Sequence, residues 1–418
     1  MNQLLYWLAV ALWVGMCLWP PVLLARAPRR RQYAGLVAAV CTCVVSLWRF
    51  GETPPGVCCM DVAENMHLFY REQNWAWLWL DERAHVSQGF GFFPVYVANL
   101  WLGNFYGERI FGFICHVLLV LGAAALLPSR GLYVGLALVA VSPTVLWRSR
   151  VYDGTHLLLP ELGLIGALGT LRRKESGWAT LVAGICLGFL SWVYMPARIM
   201  YAFPAIWLWR KPKRAIAVYG VLLLCLTPVI LVPVCTGQPI RWALFPGHLK
   251  HASFRLPSLS YTAQSLRSLV DGHAGATAST SYRGTQTLPW IALPAIVSGS
   301  WRSPFGIAGL VALAPDVFSS DEPGRSGRQM FSFLPFAFAA ARLPAVVAAR
   351  PSVPVIMGIL VAVECVARWI RLTSPTQSMI WKWPNGYSGL DPCNHVDPRP
   401  VWCRRSVPAS DGGARTSP

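Results

Sequence analysis

The sequence predicts an all-α, polytopic membrane protein: a bundle of about twelve transmembrane helices, with interfacial helices in its first external loop. Three observations carry this. Hydrophobic residues make up 55% of the 418-residue chain and charged residues only 13%, about half the charged share of an ordinary soluble protein. Twenty tryptophans suit a chain with many membrane–water interfaces, where the indole ring is stable. The Lys and Arg behind the formal net charge of +18 fall in short clusters between apolar runs, as cytoplasmic loop charge does. In a soluble protein that charge would point to nucleic acid. Here no RNA-binding or helix-turn-helix pattern accompanies it, so no nucleic-acid partner is expected.

The elements follow in order. Leu4 to Leu24 carries no charge and has about the twenty residues that a span needs. It lacks a basic start and a small-residue cleavage site, so it reads as a retained helix, kinked or ended by Pro20 and Pro21. Arg26, Arg29, Arg30 and Arg31 follow. They are the strongest orientation signal in the chain and put that loop in the cytoplasm. The second run, Gln32 to Trp48, then emerges outside, and the loop as far as Glu108 is external. Within it, Asn74 to Leu80 and Phe90 to Leu102 are aromatic and short for spans, and read as helices lying in the interface.

The third run is Ile110 to Leu127, with an inner turn at Ser129-Arg130, and the fourth is Gly131 to Trp147. The polar stretch Trp147 to His156 is external. The fifth run, Thr155 to Leu171, holds Pro160 and Glu161 near its outer end and meets Arg172, Arg173 and Lys174 at its inner end. Ala179 to Trp192 returns to an outer turn, Val193 to Arg198. A short seventh run ends at Trp209, before Arg210, Lys211, Lys213 and Arg214, and Ala215 to Val234 goes out again. Each strong basic cluster falls on the inner side with this parity.

Cys235 to Leu288 is polar and external, with an amphipathic helix over Ser258 to Val270. Pro289 to Ser300 and Pro304 to Phe318 are short runs about an inner turn at Trp301-Arg302. The loop Ser319 to Arg328 is external, and Phe331 to Ala349 and Pro354 to Ala367 are the last spans. Residues 1–370 thus form one membrane-embedded domain, and 371–418 a Pro-rich external tail without a clear domain, compatible with disorder. Of the twelve cysteines, seven lie inside apolar runs as small hydrophobes. No CxxC or His/Cys cluster has zinc spacing.

Candidate chemistry is one-sided. Asp61 and Glu64, in the stretch GVCCMDVAENMHLFYR, lie three apart in the first external loop. On a helix they share a face, and their like charges make one of them the more basic carboxylate, suited to take a proton from a hydroxyl. Solvated loop acids are the plain alternative. Arg148, Arg150 and Arg198 fall at outer ends, where a forked guanidinium suits a phosphate. Interfacial snorkelling is the alternative for any one of them. Asp153 and Glu161 are candidates to position a substrate. Glu161 lies within an apolar run, where an ionisable group is costly and usually faces a cavity.

Together these motifs resemble the membrane-embedded GT-C glycosyltransferases, and most closely the bacterial protein-mannosyltransferase and aminoarabinose-transferase type. The matching stretches are CMDVAEN (Asp61, Glu64), GNFYGERIFG (Arg109), SPTVLWRSRVYDG (Arg150, Asp153), WVYMPARIMYAFP (Tyr194, Arg198) and APDVFSSDEPGRSGR (Arg328), in order over about residues 45–345. The resemblance implies a polyprenyl-phosphate sugar donor, a lipid, glycan or protein acceptor, and a site on the periplasmic or extracellular side of a bacterial inner membrane. It implies Asp61 as catalytic base and the arginines as holders of the donor phosphate. The acidic pair is DxxE rather than adjacent acids, so Asp61 and Glu64 stay exchangeable as base. No cofactor is implied; a divalent metal is compatible with the site but nothing calls for one. A transporter or flippase of lipid or glycan, or a non-catalytic assembly protein, stays as the alternative function. A transporter would carry acids and broken helices near mid-membrane.

Overall fold

The computed structural model describes residues 2–50, 97, 106–150, 153–173, 176–189, 195–235, 259–271, 288–301, 303–317 and 330–373. Among these residues the fold is helical and contains no strand. The principal helices are α1 (Asn2–Ala25), α2 (Arg29–Leu47), α3 (Tyr106–Leu126), α4 (Leu132–Val141), α5 (Pro143–Arg148) and α6 (Asp153–Arg173). They continue with α7 (Gly177–Gly188), α8 (Pro212–Cys235), α9 (Leu293–Ser300), α10 (Pro304–Val311), α11 (Phe333–Ala340) and α12 (Ser352–Leu372). Three helical stretches are long and apolar enough to cross a membrane: Tyr6–Ala25, Ser129–Arg148 and Ser352–Arg371.

The first, second, third and fifth apolar runs each fold as one helix, and the sixth as α7 to Gly188, its predicted end at Trp192 lying outside the described residues. Helix α1 continues through Pro20 and Pro21 to Ala25 rather than ending at them. The fourth run is broken between α4 and α5, where Ser142 adopts an extended ψ ahead of Pro143, because a residue before proline avoids the α region. The end of the outer turn and the start of the seventh run share a 3-10 helix, Met195–Ala202, followed by five α-helical residues, Phe203–Trp207. The ninth to eleventh runs yield the short helices α9, α10 and α11 of eight residues each. Eight residues rise only about 12 Å, less than half of a hydrocarbon core. The amphipathic helix expected near Ser258 is present as Leu259–Asp271, with Leu259 exposed and Leu269 buried.

Helix α4 is the centre. It is buried at every position from Val134 to Val141, as a helix that is apolar all round must be. Helices α2, α3, α11 and α12 pack around it. Beyond this group, α3 packs on α1 and α6, α6 on α7, and α7 on α8. Close approach depends on small residues. A Cβ on Gly131 or Gly135 would lie 2.9 Å from the carbonyl oxygens of Ala340 and Ala337 in α11. A Cβ on Gly299 would be driven into the Ala339 carbonyl oxygen, where α9 crosses α11. Polar ties join the same helices. Thr42 donates to the Ala140 carbonyl at 3.0 Å, and the buried His116 ring donates from Nε2 to the Val139 carbonyl at 2.8 Å.

Gly299→Ala is therefore expected to lower stability by about 1–3 kcal/mol, because backbone rather than a flexible side chain blocks the new methyl. Gly15, which has open space beside it, is the control, and Gly15→Ala should leave the melting temperature unchanged or slightly raised. Thermal unfolding in detergent measures both. Equal melting temperatures for the two variants would show that α9 and α11 are not this close.

Candidate functional site

The bundle has two chemically different ends. At one, arginines meet the C-terminal carbonyls of helices, groups that have no partner within their own helix. Arg31 donates from Nη1 to the carbonyls of Ala125 (2.9 Å) and Ala124 (3.3 Å), and Arg172 donates to Leu126, all at the end of α3. Arg214 donates to Leu171 at the end of α6 (3.1 Å). The turn Ser129–Gly131 joins this end through Gly131 N–H to the Ala341 carbonyl at 2.9 Å. The basic clusters after α1, α3, α6 and α11 thus converge. The negative ends of the helix dipoles hold them together, with no acid required.

Two described candidates lie at the opposite end. Arg148 is the last residue of α5 and Arg150 lies in the turn after it, and both are buried. Arg150 donates to the carbonyls of Ser46, Trp48 and Arg49, the C-terminal end of α2. Its guanidinium lies over the Trp369 ring, 4.7 Å from the centroid, and 5.7 Å from that of Phe50. Arg49 in turn donates to the Thr373 carbonyl beyond α12. Arg49 has a positive φ of 54°, a conformation that non-glycine residues seldom adopt. Arg150 thus ties α2, α5 and α12 into one corner.

That corner also touches the two helices that flank the long acidic loop. The chain leaves α2 at Phe50, whose ring centroid is 6.3 Å from that of Phe113 in α3. In the second turn of α3, a Cβ on Gly112 would be 2.5 Å from the Ser149 carbonyl oxygen. Asp61, Glu64, Tyr194 and Arg328 lie outside the described residues, as do the predicted interfacial helices of the first loop, apart from Val97. Arg109 falls in the first turn of α3, and Asp153 is the first residue of α6. Arg198 lies half-buried in the Met195–Ala202 3-10 helix that follows α7. Burial pulls its guanidinium below the ordinary arginine value, while Tyr201 opposes the shift. An arginine stays charged under such a shift.

Glu161 lies two turns into α6, is 1% exposed and directly follows Pro160. Its carboxyl hydrogen-bonds the Leu334 backbone. Leu334 is in the first turn of α11, where backbone N–H groups are unpaired, and Ser332 supplies no side-chain cap. The acid within an apolar run is thus a helix cap supplied by a neighbouring helix. Its Oε1 is buried without a hydrogen-bond partner, which costs about 1–3 kcal/mol in a structural carboxyl. Sequence reasoning singled out Glu161 but had no signal for its partner. It passed over His116, which no motif marks. Among the described residues no group of three or more His, Cys, Asp or Glu side chains comes together as a metal site would need.

No family model matches the chain, and neither a curated protein nor a solved structure matches it.

Replacing Arg150 by Met keeps much of the volume but leaves buried carbonyls of α2 without their donor. A loss of about 2–4 kcal/mol is expected from thermal unfolding. Arg350, which is exposed, should tolerate Arg350→Met with no change in melting temperature. An unchanged Arg150→Met variant would remove Arg150 from the corner it is assigned here.

Proposed function

We propose that this chain is a multi-pass GT-C-type glycosyltransferase of the bacterial inner membrane. It moves a hexosyl or pentosyl group from a polyprenyl-phosphate donor to a lipid, glycan or protein acceptor on the periplasmic or extracellular side. In this reading the twelve apolar runs enter the bilayer, the shorter ones partway. One observation supports the proposal: the two helices that flank the Asp61–Glu64 loop, α2 and α3, both meet the buried Arg148–Arg150 segment, at the end of the bundle away from the basic clusters. In this reading the proton acceptor in that loop and the phosphate-binding cations work on one face.

The reaction is a single displacement. The carboxylate of Asp61, or of Glu64 in exchange, takes the proton of the acceptor hydroxyl or amine. The acceptor atom forms a bond to the anomeric carbon from the face opposite the phosphate. The bond from that carbon to the phosphate oxygen breaks, and polyprenyl phosphate leaves with the electron pair. Configuration inverts. Arg109, Arg148, Arg198 and Arg328 are the proposed cations for the leaving phosphate, with Tyr194 and Asp153 beside the sugar. The guanidinium of Arg150 already meets three carbonyls, so its role is to position the loop root rather than to contact the donor.

A second reading has its own support. Glu161 is a buried acid with an unpaired Oε1, between α6 and the start of the short helix α11. Discontinuous helices around a buried acid suit a transporter or flippase of lipid or glycan.

Purified protein given a defined polyprenyl-phosphate sugar and an acceptor extract separates the two. Transfer is expected from the wild type and a fall of at least about 100-fold from Asp61→Asn or Glu64→Gln, the usual contribution of a general base. Glu161→Gln should retain transfer. Undiminished transfer in both acidic-loop variants would remove the proposed base. Absence of transfer together with Glu161-dependent lipid translocation in vesicles would favour the second reading.

A further inference from the structure

Helices α2 and α12 pack against α4 from either side, and the space between them is a groove of about 590 Å³. Its floor is small and apolar, with Ala137 and Ala140 of α4. Its walls are Val37 and Cys41 of α2 and Val355 and Ile359 of α12. Gly358 lets α12 approach closely, since a Cβ there would lie 2.7 Å from the Tyr133 Cβ. Beyond its far end the Arg150 and Arg49 contacts join α2 to Trp369 and Thr373. The near end opens on Arg30, at the basic end of the bundle. Arg30 Nε donates to the Tyr133 hydroxyl at 3.4 Å, and its guanidinium lies 5.5 Å from that ring's centroid. No acid pairs with Arg30 among the described residues.

We infer that this groove is a binding site for an anionic phospholipid of the cytoplasmic leaflet, with one acyl chain along α4 and the phosphate on Arg30 and the Tyr133 hydroxyl. Three features fix the occupant. From Arg30 to Cys41 the groove follows about 16 Å of helix, the depth of one leaflet of a roughly 30 Å hydrocarbon core. Its lining is apolar over that depth and carries one cation at the headgroup end, the arrangement of basic interhelical lipid sites on the cytoplasmic side. Beyond the other end α2 and α12 are tied together by Arg150 and Arg49, so a chain enters from the Arg30 side or from the bilayer. The inference rests on the membrane placement proposed above and not on the transferase reading. Recovery of the wild type in the membrane fraction tests that placement separately.

Native mass spectrometry of the full chain, purified in detergent and given equal amounts of phosphatidylglycerol and phosphatidylcholine, tests the site. The wild type should retain phosphatidylglycerol over phosphatidylcholine by at least about fivefold, the factor expected for one arginine at the headgroup. Arg30→Gln should lose that preference. Ala38→Phe, which fills the groove, should lower retention of both lipids, and Arg350→Gln should behave as wild type. If Arg30→Gln yields no folded protein, Tyr133→Phe takes its place. Equal retention of the two lipids by the wild type, or an unaltered preference in both headgroup variants, would overturn the inference.

Discussion

The structure depends on guanidinium groups meeting the carbonyl ends of helices. The chain has 36 Lys and Arg against 18 Asp and Glu, so acids cannot balance its cations pair by pair. Instead Arg31 and Arg172 meet the end of α3, Arg214 the end of α6, Arg150 the end of α2 and Arg49 the end of α12. Each contact satisfies carbonyls that a helix terminus leaves open, and each sets a cation against the negative pole of a helix dipole. In an apolar surrounding neither group has water to fall back on, so the pairing fixes which helix ends lie together. The one described ion pair, Arg368 with Glu364 at 2.6 Å, does a related task. Its carboxylate accepts the N–H groups of Trp290 and Ile291 at 2.9 and 3.1 Å and so caps the start of the segment leading into α9.

This arrangement links the centre of the fold to both proposed sites. Helix α4 is buried because α2, α3, α11 and α12 surround it, and they can approach because Gly131, Gly135 and Gly358 carry no Cβ at the crossings. The Arg150 corner closes the gap between α2 and α12 at one end and roots the acidic loop there. At the other end the same gap stays open beside Arg30. One crevice between two helices thus holds the proposed lipid groove on the basic side and, past the clamp, borders the proposed site.

Long apolar runs were legible in the sequence. Leu4–Leu24, Gln32–Trp48, Ile110–Leu127 and Thr155–Leu171 fall on α1, α2, α3 and α6, whose bounds differ from them by at most four residues. Hydropathy alone decides those segments. The later runs were less legible because a window of apolar residues does not register a break. Pro143, the Ala312-Leu313 turn and the extended residues at Arg342 divide runs that look continuous. At the candidate site, sequence parity grouped Arg148, Arg150 and Arg198 by side. It could not tell a phosphate-binding arginine from one that caps a helix, because both tasks call for the same forked donor in the same place. Only the carbonyls of Ser46, Trp48 and Arg49 around Arg150 distinguish them. Glu161 was legible as an anomaly, an acid in an apolar run. Its capping of α11 depends on a residue more than 170 positions away.

The account stands on the acidic loop and the basic clusters lying on opposite faces of a membrane. Accessibility to a membrane-impermeant maleimide in intact cells measures this directly. The native Cys58 and Cys59, three and two positions before Asp61, should label from outside. A cysteine introduced by Lys213→Cys, in the basic cluster at the start of α8, should label only after permeabilisation. Labelling of both from the same side would contradict the topology, and with it the site built on the Arg148–Arg150 turn.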